Sequence, residues 1–68
     1  MSLLLKAERG KSYVILVQSR QLMMEGLEAG TIVVPINHLG YSVICYVPQR
    51  GRTFFLPSVT EVAEVAQG

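Results

Sequence analysis

The chain has 68 residues and a mass of 7.5 kDa, which leaves room for a single domain with one thin core. Half of the residues are hydrophobic and the mean hydropathy is +0.38, more apolar surface than so small a core can hide. Six Lys/Arg against five Asp/Glu give a net charge of +1, so bulk charge does not argue for nucleic acid. One cysteine, Cys45, excludes a disulfide framework and a cysteine-rich zinc module.

In chain order, Arg9-Gly10 marks a turn, and a β-branched and aromatic run, Tyr13 to Val17, predicts a strand over 12–18. Residues 20–29 hold Leu22, Met23, Met24 and Leu27 around Gly26, and read as one or two helical turns or as a bulged strand. Ala29-Gly30 opens a second strand over 30–36, in which Pro35 belongs at an end, an edge or a bulge. Asn37-His38-Leu39-Gly40 reads as a turn. Residues 41–47 and 52–56 form the clearest hairpin, reversed by Pro48-Gln49-Arg50-Gly51. In the tail, Ser58 and Glu61 have capping-box spacing, which predicts a helix over 59–65, with a turn and short strand as the alternative.

Four to five short strands with turns every 8–12 residues or about that predict an all-β barrel or small sandwich in a single domain, 1–68. Its expected core is Val14, Leu16, Ile32, Val34, Val43, Cys45, Phe54 and Leu56, or the opposite face where a register differs. The first two strands are apolar on both faces, which implies that a second subunit covers one of them. A homo-oligomer is therefore expected, with Met23, Met24 and Val33 at its interface. No apolar run approaches the ~18 residues of a membrane span, and Leu3-Leu4-Leu5 is too short for a signal-peptide core. The expectation is a protein without membrane insertion in a reducing, cytoplasmic setting.

Chemistry-bearing residues are few. His38 is the only histidine, no glycine-rich phosphate loop is present, and neither a metal nor a cofactor is called for. Cys45 reads as a small buried hydrophobe, and the pairs Glu25/Glu28 and Glu61/Glu64 as solvated surface. Arg9 and Lys11 precede the first strand, and Arg50 and Arg52 flank the hairpin turn. Convergent loops would turn these four cations into a phosphate- or partner-binding rim, with Tyr41 and Tyr46 as a stacking surface. Exposed, charged turns without a ligand are the plainer reading of the same residues.

Two segments carry a family resemblance. Tyr13 to Ser19 followed by Gly30 to Ile36 resembles the centre of the CcdB/MazF (PemK-type) toxin superfamily, and 41–43 with 52–59 resemble its later strands. The resemblance implies an SH3-like barrel, a homodimer and the toxin half of a toxin–antitoxin pair, with an antitoxin-like protein or RNA as partner. If the chain is a metal-independent ribonuclease of the MazF branch, Arg9 and Lys11 would hold the scissile phosphate. Asn37 stands where that branch has Thr, and His38 would act as general acid or base. The chain has no Trp, whereas the CcdB branch contacts its target near one.

A second resemblance runs from Gly26 to Thr31, which is similar to the Gly-Leu-x-x-Gly-Thr signature of FeoA-type domains. It implies the same SH3-like barrel used as a regulatory or protein-binding module beside a transporter. Little sequence is left for the helix that precedes the signature in that family. Both resemblances imply a small SH3-like barrel with a short terminal helix or strand, and a binding module is expected more than an enzyme.

Overall fold

In a computed structural model, residues 2–66 are described. They form β1 (Ser2–Leu3), a 3-10 turn (Leu4–Lys6), β2 (Tyr13–Ile15), α1 (Arg20–Met24), β3 (Ile32–His38), β4 (Ser42–Val47), β5 (Arg52–Pro57) and β6 (Glu61–Glu64). The fold is all-β, one antiparallel sheet in the order β1-β6-β2-β3-β4-β5.

The sheet rolls up on itself. Side chains from β2, β3, β4, β5 and β6 join Leu4, Ala7, Leu22 and Leu27 around one core, with the 3-10 turn against β4. β3 makes this possible because it pairs with β2 through its first half and with β4 along most of its length. Its register shifts between Pro35 and Asn37, a bulge at Ile36. Pro35 costs the β3–β4 ladder nothing, because its carbonyl faces Gly10 N–H on the other flank and its missing N–H would face the same way; the bulge that follows it sharpens bend and twist.

The expected hairpin forms with its expected core, since Val43, Cys45, Phe54 and Leu56 are buried. On β2 and β3 the opposite face is buried: Tyr13, Ile15, Val33 and Pro35 point inward, while Val14, Ile32 and Val34 are partly covered and Leu16 is exposed. Tyr13 decides this. Its hydroxyl accepts a hydrogen bond from Glu8 N–H at 2.8 Å, which satisfies a polar atom inside the rolled sheet. β2 also stops at Ile15 rather than at residue 18. The Ile15 carbonyl turns to Gly30 N–H, and Leu16 N–H turns to the Glu61 carbonyl.

Residues 20–29 resolve into a short helix and a tight exit. Ser19 caps the helix, its hydroxyl accepting from Leu22 N–H at 3.2 Å. At the other end Gly26 N–H donates to the Met23 carbonyl and Leu27 N–H to the Leu22 carbonyl, a Schellman motif. Gly26 takes φ +77°, and the apolar contact that goes with the motif is supplied by buried Leu22 and Leu27. Asn37 and His38, expected in a turn, lie instead in β3; the bulge lets the strand continue to pair them with Ile44 and Val43. No helix follows Ser58. Ser58 N–H bonds the Tyr41 carbonyl, Thr60 closes a turn on the Pro57 carbonyl, and β6 follows.

Gly26 is tied to the barrel as well as to the helix. A Cβ there would lie 3.1 Å from Arg50 Nη1. Gly26→Ala is expected to lower stability by more than ~1 kcal/mol in urea unfolding, from the left-handed backbone and from this contact. Adding Arg50→Ala should recover only the part due to the contact.

Candidate functional site

The cations expected to share one rim are divided. Gln49, in the β4–β5 turn, accepts from Ile32 N–H at 3.0 Å, which sets Arg50 and Arg52 at the start of β3. Gly10 N–H bonds the Pro35 carbonyl at 2.9 Å, which sets Arg9 and Lys11 about 10 Å further along that strand, on its other flank.

Each end has its own character. Arg50 donates to the Gly26 carbonyl at 3.2 Å, reaches the Glu25 carbonyl at 3.5 Å and lies 5.3 Å from the centre of the Phe54 ring. Arg52 stacks 4.1 Å from the centre of that ring. A guanidinium at the carbonyl end of α1 answers the last unpaired helix carbonyls, so Arg50 is a latch between the helix and the hairpin.

At the other end, Lys11 is paired with Glu8 and lies 3.8 Å from Glu64. These carboxylates hold its ammonium above the ordinary lysine range, chiefly through the hydrogen bond to Glu8. The Arg9–Lys11 loop and Asn37-His38 both lie toward the far end of β3, near the β3–β4 turn that carries Tyr41, 94% exposed. Among the described residues no hydrogen bond or ion pair links Arg9 or Lys11 to Asn37 or His38. Tyr46 lies at the Arg50–Arg52 end, one residue before the end of β4, opposite Val34 and Thr53.

The interface trio is also divided. Met23 and Met24 project from α1 into solvent, but Val33 is fully buried inside the chain and cannot meet a partner. Its inward position follows from its pairing with Tyr13.

The best-formed concavity lies elsewhere, a groove of about 610 Å³. Val17, Ser19, Arg20, Leu22 and Met24 form one wall, and Pro57, Val59, Thr60 and Glu61 the other. It exists because α1 is short: five residues of helix cover ~7.5 Å, against ~20 Å for the six residues of β5. Val17 and Val59 are exposed aliphatic residues in a loop and a turn, where sequence pattern places them in a strand and a helix, so the groove is not legible in the sequence.

No group of three or more metal-ligating side chains occurs among the described residues. No known protein family, curated protein or solved structure matches the chain.

Cys45 is fully buried, and burial pushes its thiol up to about 12. An unfolded thiol ionises near ~8.5, so between that pH and about 12 the unfolded chain binds fewer protons than the native one. Stability should therefore fall with rising pH across this window, by up to ~1.4 kcal/mol per pH unit. Unfolding midpoints in urea from pH 8 to 11 check this, and the Cys45→Ala protein should lack that part of the slope.

Proposed function

We propose that this chain is a small SH3-like barrel acting as a protein-binding module, with a partner segment seated in the groove between Val17–Met24 and Pro57–Glu61. The groove itself carries the reading. It is mostly apolar and of ligand-site volume, and an exposed methionine, Met24, gives one wall the adaptable, polarizable surface that suits an apolar peptide face. Arg20 and Glu61 stand on opposite walls, which favours a partner with polar flanks of both signs.

The strand order β6-β2-β3-β4-β5 supports the SH3-like reading, each strand after the first pairing with its predecessor in the chain and β6 returning to β2. The FeoA-type resemblance gains from α1. A helix does precede Gly26 to Thr31, and the two signature glycines take φ +77° and +96° around a buried Leu27. That supports an adaptor-like role, with a transporter among the partner classes, over a toxin.

A ribonuclease reading rests on one observation, the shared location of Arg9, Lys11, Asn37 and His38 toward one end of β3. Against it, Lys11 is neutralised by two carboxylates.

One experiment addresses both. Peptides selected from a random library on the immobilised protein are titrated into isotope-labelled protein. Chemical shifts should move at Val17, Met24 and Val59, and Met24→Glu or Val59→Glu should weaken binding about tenfold or more. Both side chains are exposed, so these variants should stay folded. Failure to select any peptide, or shifts confined to the Arg9 and His38 end, would defeat the module reading. RNA cleavage in EDTA that Arg9→Ala and His38→Ala both abolish would establish the nuclease instead.

A further inference from the structure

β5 is hydrogen-bonded to β4 alone, so it is a sheet edge. Which of its backbone groups are free follows from the register. Ser58 N–H bonds the Tyr41 carbonyl, and in an antiparallel ladder alternate residues repeat that bond, so Leu56, Phe54 and Arg52 also turn toward β4. Thr53, Phe55 and Pro57 turn outward. Pro57 has no N–H, and its carbonyl is taken by Thr60, through the backbone at 3.0 Å and the hydroxyl at 2.7 Å. At the other end Gly51 N–H is spent on the Val47 carbonyl. The open ladder is thus two residues long: the N–H and C=O of Thr53 and of Phe55.

We propose that this edge pairs with the same edge of a second copy, as an antiparallel β5–β5 contact in which Thr53 lies opposite the partner's Phe55. Two-fold symmetry then places Phe55 opposite the partner's Thr53, and Phe54 faces its own counterpart across the axis. The register uses all four open groups of each chain, in four hydrogen bonds. Centring the axis one residue later, on Phe55, sets Thr53 against the partner's Pro57, which has no N–H and a carbonyl already occupied; two bonds remain.

The occupant is a second copy because the edge is bounded on both sides. A longer peptide strand would find no further N–H donor beyond Thr53 and Phe55, since Gly51 N–H is spent and Pro57 has none, whereas an identical edge ends where this one ends. Charge does not oppose it: each chain carries only +1, and the register sets each Arg52 opposite the partner's Leu56, at the two ends of the ladder. Thr53 and Phe55 share the outer face with Tyr46 and Ile44, a face with no ionisable group but tyrosine. Pairing sets Phe55, 62% exposed, directly beside the partner's Thr53 and so joins the two outer faces. This contact is independent of the groove.

Sedimentation and light scattering across micromolar to high micromolar concentration test the assembly. The mass should rise from 7.5 kDa toward twice that value. Thr53→Pro removes one outward N–H without touching the β4 ladder, and Phe55→Lys places a charge at the contact; both should hold the protein monomeric at the top concentration. Circular dichroism establishes that each variant is folded, and Phe55→Lys serves if Thr53→Pro is not. In the parent, the amide protons of Thr53 and Phe55 should exchange more slowly as concentration rises. A monomer at every concentration would overturn the proposal. So would a dimer that a folded variant leaves intact, or one in which these two amides stay unprotected.

Discussion

The whole molecule depends on β3 serving two pairings at once. Its first residues hold β2, Val34 to His38 hold β4, and the register slips at Ile36, just past the proline. A flat six-stranded sheet of this length would leave both faces wet. The bend lets one face close over Val33, Val43, Cys45, Val47 and Leu56, so that side chains distant in strand order meet in one core. Pro35 is itself fully buried, so it fills space beside the bulge without removing a hydrogen bond from the β3–β4 ladder.

A core this small cannot cover every seam, and the exposed features of the molecule are the consequences. The open side of the rolled sheet is bridged by a single helix of five residues, fastened at its carbonyl end by Arg50 and at its apolar side by Leu22 and Leu27. Where the helix runs out, the groove begins. Where no strand follows β5, an edge remains. Fewer than half of the hydrophobic residues are buried among those described, which is the excess that composition alone had indicated.

Legibility in the sequence followed polar contrast. The β4–β5 hairpin was readable because Pro48 to Gly51 makes an unambiguous reversal and the alternation on β5 is broken by Arg52 and Thr53. On β2 and β3 both faces are apolar, so hydrophobic pattern could not choose between Val14 and Tyr13 or between Val34 and Val33. The choice was made by a hydrogen bond from Glu8 to the tyrosine ring's hydroxyl, an event five residues away that periodicity does not encode. Asn37-His38 looked like a turn because turn residues cluster there, yet a bulge accommodated them within a strand. For the candidate site the sequence drew attention to cations and tyrosines, but pattern encodes neither their separation along β3 nor the use of Arg50 as a helix latch.

That latch changes what the basic residues can mean. An arginine whose Nη1 donates to the Gly26 carbonyl and reaches that of Glu25 has one arm of its fork engaged inside the chain. Arg52 lies flat over Phe54, where the ring face offsets part of its charge. Lys11 has two carboxylates for company. Of the four cations that might have formed a phosphate rim, only Arg9 has no such partner among the described residues. The apolar surface, by contrast, has few internal claims on it. With three of these cations engaged inside the chain, the surfaces left without such partners are the hydrophobic groove and the open strand edge.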